Sequence, residues 1–275
     1  MDQQTLEEKL ASLPVGGVRY FEKTSSSNDE AALWIEEGAP DLALVVANQQ
    51  TAGRGRMGRT WHTPAGASLA FSLVLYPVQD GPYVLPRLTA LGALAVCDAL
   101  QSEYDLRPKI KWPNDVLLDR RKVSGVLVEA QWSGAELSAL ILGIGINVAP
   151  ASVIEDSQLR FPATCVENVV GHPVDRVELL GSVLSKVMEW RPRLASQAFL
   201  QAWEERLAFR GEWVRVSQDQ SSGKDGLPHE LEGIPTAVHE GQVIGLAPDG
   251  SLRLRTRTGE ITTIHVGEVR VAPVG

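Results

Sequence analysis

Gln50-Thr51-Ala52-Gly53-Arg54-Gly55-Arg56-Met57-Gly58-Arg59-Thr60-Trp61 alternates three glycines with three arginines and contains no acid. The chain around it carries a formal net charge of −8, so cations packed this tightly call for a local anion. Glycine lets a backbone approach a ligand closely, and arginine offers a planar fork suited to phosphate or carboxylate. The stretch reads as a loop that closes over a negatively charged small molecule. Gly53, Gly55 and Gly58 also satisfy G-x-G-x-x-G, the spacing of a dinucleotide-binding turn. Such a turn opens a helix, which Thr60-Trp61-His62-Thr63-Pro64 continues poorly, and it packs small residues where this chain has arginine. A solvated basic loop without a ligand is the plainer alternative.

Outward from the loop, residues 42–48 before it and 68–76 after it read as strands, the second ended by Pro77. Further upstream, residues 18–21 form a short strand that leads into Ser27-Asn28-Asp29-Glu30. Ser27 and Glu30 have capping-box spacing for a helix that Gly38 stops. Downstream, residues 88–100 are apolar on most sides, as in a buried helix. Residues 116–118, 124–131 and 136–148 read as consecutive strands, with turns at Asp119-Arg120-Arg121 and Ser133-Gly134. Neighbouring strands joined by short turns favour an antiparallel or mixed sheet over a βαβ array.

Helices are expected at residues 175–190 and 194–209, with Gly211 as the second stop. The pattern then changes to short strands at residues 212–216, 237–239, 241–246, 251–258 and 260–265. Pro248-Asp249-Gly250 and Thr258-Gly259 punctuate them as hairpins. A small β-barrel domain follows from this pattern. The fold class is therefore α+β, with a catalytic domain over residues 1–210 and a barrel over 211–275. Residues 218–233 are polar and glycine-rich, a mobile loop of the second unit. Arg253, Arg255 and Arg257 share a strand face and read as solvated.

With 275 residues, 44% of them hydrophobic, the chain can bury a full core and divide into a large and a small domain. Cys97 and Cys165 make neither a disulfide framework nor a metal spacing, and each reads as a buried thiol in a reducing compartment. The acidic first eight residues lack the apolar core of a signal peptide, and residues 137–149 are too short and glycine-rich to span a membrane. Overall acidity argues against nucleic acid as the main partner. A cytoplasmic protein that binds neither DNA nor membrane is expected.

A second motif, Lys111-Trp112-Pro113-Asn114-Asp115, is followed at close range by Lys122-Val123-Ser124-Gly125-Val126-Leu127-Val128-Glu129. Lys122 stands just before an apolar strand, where its ammonium can be partly desolvated and aimed at a ligand. Gly125 removes a side chain where something approaches the backbone. Leu142-Gly143-Ile144-Gly145-Ile146-Asn147 again puts glycines into an apolar strand. Gly143 and Gly145 share a face and open space above the sheet. Lys111 has a plain reading as half of a surface ion pair.

Taken together, residues 53–59, 111–116, 122–129 and 143–148 resemble the four signature segments of the biotin protein ligases, in the family's order. The resemblance covers about residues 21–269. It implies a mixed-sheet catalytic domain related to class II aminoacyl-tRNA synthetases, followed by an SH3-like barrel. It also implies ATP-dependent ligation of biotin to a lysine of a biotin carboxyl carrier protein, through biotinyl-5′-AMP. By the same resemblance Ser26, Ser27, Asn28, Gln50, Arg54, Gly55, Arg56, Lys122 and Gly125 contact biotin. Arg56, Arg59, Trp61, Asn114, Lys122 and Asn147 contact ATP or the adenylate. Lys122, Arg56 and Asp115 are the catalytic candidates. Mg²⁺ is expected with ATP and has no assigned ligand set, Asp115 being a candidate. Asp115 is also a candidate to orient Lys122 or to assist the carrier amine.

The enzymatic alternative is a lipoate ligase or octanoyl transferase of the same architecture. The short segment before Phe21 points to the monofunctional type without an N-terminal DNA-binding domain. A homodimer is compatible with the family, which includes monomers and dimers.

Overall fold

The computed structural model describes residues 1–76, 84–134, 136–154, 161–218 and 237–271. Apart from Gln218, the loop expected at residues 218–233 lies outside the described residues, as does Pro77.

A 7-stranded sheet, ordered β1-β2-β3-β7-β6-β5-β4, forms the first unit. Its strands are β1 (Gly17–Phe21), β2 (Ala43–Ala47), β3 (Ser68–Leu75), β4 (Lys109–Lys111), β5 (Asp115–Leu118), β6 (Arg121–Ser133) and β7 (Glu136–Asn147). β1 and β2 pair parallel because α2 (Ser27–Glu36) crosses between them, and the other neighbours are antiparallel. The sheet is thus mixed, as expected. The hairpin between β5 and β6 turns through Asp119 and Arg120, both at positive φ (47° and 63°). Two such residues are what a tight hairpin turn demands. β4 is too short to show periodicity and has no counterpart in the sequence reading.

Side-chain alternation along β7 sets the two faces of the sheet. Leu142, Ile144 and Ile146 enter the main core, and a Cβ on Gly92 of α3 (Val84–Tyr104) would meet Val126, Leu142 and Ile144. Ile141 packs on the opposite face with Ala31, Val45 and Val74 under α2. Gly143, Gly145 and Asn147 continue that face. Behind α3 lies α5 (Arg176–Trp190), capped by Asp175, whose carboxylate accepts from the Val177 and Glu178 amides, and α1 (Gln3–Leu10) packs on α5. A short α4 (Val166–Val170) follows β7. Cys97 and Cys165 are free and buried, and burial pushes both thiols up.

α3 extends beyond the expected 88–100 at both ends, and the helix expected from residue 194 starts at Gln197; two further boundary differences have a visible cause. The N-cap of α2 is Ser26, and no capping box forms. The Ser27 hydroxyl pairs with Ser72, and the Glu30 carboxylate accepts from Thr24 instead. Gly38 does end this helix, at φ 87°. The second difference is α6 (Gln197–Glu205), capped by Ser196, which stops well short of Phe209. There the chain pairs with β4: Ile110 N donates to Arg206 O, and Ala208 N to Ile110 O. Hydrogen bonds to a strand outcompete another helical turn.

The second sheet is antiparallel and 5-stranded, ordered β11-β10-β9-β8-β12. Its strands are β8 (Trp213–Gln218), β9 (Ala237–Leu246), β10 (Leu252–Arg255), β11 (Ile261–Ile264) and β12 (Glu268–Val271). The runs expected at 237–239 and 241–246 form a single strand, β9. β12 was not anticipated, because its four residues carry no turn signal of their own. Arg255 and Arg257 are exposed as expected, and Arg253 is half-buried.

Candidate functional site

The N-terminus of α2, the arginine-glycine loop, the turn between β4 and β5, and the glycine-bearing face of β6 and β7 surround one cavity of about 380 Å³. Every residue assigned to the site from the sequence lines this cavity. Gly267 and Glu268, at the start of β12, close one side.

The loop is a hairpin closed by its own backbone. Trp61 N donates to Gly53 O at 2.8 Å, and Gly55 N donates to Arg59 O at 2.6 Å. A Cβ on Gly53 would lie 2.5 Å from Trp61 O, so only glycine permits this approach. Met57 (φ 59°) and Gly58 (φ 68°) turn the tip. Gln50 braces the base: its Oε1 accepts from Ser27 N at 2.7 Å, and its Nε2 donates to Thr63 at 2.9 Å. Both ends of that amide are therefore engaged by the protein.

The two glycines of β7 form seats for two side chains. A Cβ on Gly143 would stand 2.3 Å from Asn28 Oδ1, and one on Gly145 would stand 2.3 Å from the Trp61 ring. Gly125 of β6 widens the second seat, with Trp61 and Lys122 against it. The space predicted above these glycines exists, and Asn28 and Trp61 reach into it. Trp61 Nε1 is buried without a hydrogen-bond partner among the described residues. Asn28 Nδ2 donates to Glu129 at 2.5 Å, and its Oδ1 accepts from Ser72 at 2.6 Å. Glu129 also meets Arg54 at 3.0 Å, and Arg54 meets Asp29 at 2.6 Å.

A charged cluster occupies the other end of the cavity. Lys122 Nζ lies 2.6 Å from Asp115 Oδ1 and 5.3 Å from the Trp61 ring. Lys111, only 3% exposed, lies 3.3 Å from Asp115 Oδ2, 3.8 Å from Glu268 and 4.5 Å from the Phe161 ring. Arg59 pairs with Glu268 at 2.8 Å. Burial alone would raise the Asp115 pKa, but the two ammoniums outweigh it and hold the carboxyl at about 2. Asp115 is thus ionised at neutral pH. Burial lowers the Arg56 pKa, and its hydrogen-bond partner is Asn114 Oδ1 at 3.2 Å. Among the described residues no carboxylate lies within ion-pair distance of Arg56. Asn114 also donates to Val126 O, and Asn147 donates to Thr164 O. Arg56, Arg59, Lys111 and Lys122 outnumber Asp115 and Glu268, which leaves this end suited to an anion.

Lys111 is not the surface ion pair of its plain reading. Glu268 was unforeseen, because only the pairing of β12 with β8 brings it here. Ser72 and Glu129 have no role in the sequence reading, although each interrupts a run of apolar residues in its strand. No cluster of three or more metal-ligating side chains occurs among the described residues. Each Asp115 oxygen already faces a lysine, so it makes a poor direct ligand.

The model of the biotin/lipoate A/B protein ligase family matches residues 20–147. A biotin–[acetyl-CoA-carboxylase] ligase of Paracoccus denitrificans is 39% identical over 211 residues, 73% of this chain and 86% of that one. The bifunctional ligase/repressor BirA of Bacillus spizizenii is 37% identical over 60% of this chain, and the match spans only 50% of its length. The biotin protein ligase of Aquifex aeolicus, solved with biotin and ATP, superimposes with a TM-score of 0.74 at 28% identity. That superposition covers 93% of this chain and 98% of the other. The chain belongs to the biotin protein ligases, within the biotin/lipoate A/B protein ligase family.

Proposed function

We propose that the protein joins biotin to a lysine of a carrier protein in two steps, with ATP consumed in the first. A biotin carboxylate oxygen attacks the α-phosphorus of ATP, forming an O–P bond as the bond to pyrophosphate breaks. The carrier amine then attacks the acyl carbon, AMP leaves, and one proton is released as the amide forms. The relatives with biotin and ATP in their names support this reading.

The observation that carries it is Lys122, held by Asp115 beside Arg56 in one cavity. Both reacting groups are anions and repel each other until cations bring them together. A unit charge pair at 4 Å is worth about 4 kcal/mol at an effective dielectric of 20, and the benefit grows as charge builds on the phosphate. Lys122 and Arg56 are assigned to that task. Asp115, ionised and shared by two ammoniums, positions Lys122, and its low pKa makes it a weak base for the carrier amine. Ser26, Ser27 and Asn28 are assigned to the ureido ring, and Trp61, with Arg59, Asn114 and Asn147, to the adenylate. The proposal keeps residues 1–210 as a synthetase-like catalytic domain and 211–275 as an SH3-like barrel, supported by the two separate sheets.

Neither Cys97 nor Cys165 lines the cavity, which disfavours a transferase with a thiol nucleophile. Pyrophosphate exchange into ATP tests the function. Biotin should support exchange and lipoate should not; the reverse result overturns the assignment.

A further inference from the structure

We propose that Ser72 and Glu129 are positioning residues of the biotin subsite: they fix the Asn28 amide in one orientation, and Glu129 also latches the arginine-glycine loop through Arg54. This rests on the biotin-ligating function above and names how its recognition end is set.

The orientation follows from counting hydrogens. A carboxylate only accepts, so the Asn28 amide must turn its Nδ2 to Glu129, 2.5 Å away. Its Oδ1 is then left facing Ser72 Oγ at 2.6 Å. Ser72 Oγ also lies 2.8 Å from Ser27 Oγ but has one hydrogen to give. Asn28 Oδ1 and Ser27 Oγ both face that hydrogen, and Asn28 Oδ1, a carbonyl oxygen and the nearer of the two, takes it. The result is a one-way chain of donation from Ser72 through Asn28 to Glu129. Ser72 is fully buried and does not line the cavity, so bulk water does not compete for its hydrogen. What remains unspent at the cavity is one N–H of Asn28 and lone-pair capacity on Ser27 Oγ. A donor and an acceptor side by side complement the C=O and N–H of a cyclic urea.

The far end of the chain holds the loop. Arg54 donates to both Glu129 oxygens, at 3.2 and 3.0 Å, while its other terminal nitrogen bonds Asp29. One carboxylate therefore couples the orientation of Asn28 to the seating of the loop. Gly143 keeps the arrangement in place, since a Cβ there would collide with Asn28.

Three variants separate the two tasks, each read by biotin affinity, by the KM for ATP in pyrophosphate exchange, and by tryptic cleavage after Arg54 in the biotin-bound protein. Glu129→Ala should weaken biotin about tenfold or more, as loss of a charge-assisted bond does, and should accelerate cleavage. The KM for ATP should stay within about twofold, a split that general loss of structure would not give. Glu129→Gln keeps an oxygen for Asn28 but turns an NH₂ toward Arg54, so biotin affinity should be largely retained while cleavage accelerates. Ser72→Ala should weaken biotin and leave cleavage unchanged. If Glu129→Ala does not fold, the split in Glu129→Gln decides alone. Unchanged biotin affinity in Ser72→Ala, or equal cleavage in Glu129→Gln and wild type, overturns the proposal. Wild-type protein that neither binds biotin nor exchanges pyrophosphate overturns the underlying function instead.

Discussion

Lys122 Nζ and Asp115 Oδ1 are 2.6 Å apart, while the other oxygen of the same carboxylate faces Lys111 at 3.3 Å, so one buried acid holds two ammoniums. The three groups are not interchangeable. Lys122 lies at the cavity with part of its side chain exposed, whereas Lys111 is almost fully enclosed.

Removing Lys122 and removing Asp115 should therefore fail differently. Lys122→Ala leaves Asp115 paired with Lys111, so unfolding in urea should change little. Biotin-dependent pyrophosphate exchange should fall by about 10²–10³-fold, as when a single donor to a developing anion is lost. Asp115→Ala leaves the buried Lys111 without its nearer acid and should cost about 3–5 kcal/mol of stability. Comparable destabilisation by both variants would show that Lys122 is structural.

Acid should erase the contribution of Asp115 in a defined window. Its folded pKa, about 2, lies below the ordinary value of 3.8, so the ionised form favours the fold. That stabilisation is fully present above about 3.8 and is lost as pH falls through about 2. The stability gap between wild type and Asp115→Asn should therefore narrow from pH 5 toward about pH 2. A gap that is constant or widens with acid contradicts the assignment.

The two glycine seats on β7 should report on two ligands. Gly143→Ala drives a methyl into Asn28 and should raise the KM for biotin. Gly145→Ala drives one into the Trp61 ring and should raise the KM for ATP instead. Steady-state kinetics with each substrate varied in turn checks both. Identical effects of the two substitutions would place both seats under one ligand.

Glu268 should couple the two sheets. It is nearly buried and meets Arg59 and Lys111, both from the first unit. Glu268→Ala should cost about 1–3 kcal/mol, the penalty for leaving polar partners unmet. Combined with Arg59→Ala, the loss should fall short of the sum by at least about 0.5 kcal/mol. Strict additivity in urea unfolding would mean that the pair is not formed.

Much of the site was legible because its signals are local. The glycines at 53, 143 and 145 stand where a neighbouring atom would collide with a Cβ, and each such collision is found. Strand alternation alone places Gly143 and Gly145 on one face. The capping box at Ser27 and Glu30 was misread for a reason of the same kind. The helix starts one residue earlier, with Ser26 as its N-cap, and Ser72 and Thr24 engage the Ser27 and Glu30 side chains instead. The end of α6 was misplaced because Ile110, distant in sequence, recruits the backbone at Arg206 and Ala208.

Periodicity, turn residues and the placement of glycine among arginines thus placed most helices and strands along the chain and the cationic loop, while the resemblance of four segments supplied the residues gathered around it. The elements and the loop depend on interactions within a few residues or on side-chain alternation, which the sequence states directly. Tertiary structure alone decided that Lys111 is buried, that Asp115 serves two lysines, that Glu268 enters from the second sheet, and that Glu129 joins Asn28 to Arg54. Each of these is a charge or amide whose partner lies elsewhere in the chain or on a neighbouring strand. A charged side chain takes its meaning from what neutralises it, and only packing brings that partner within reach.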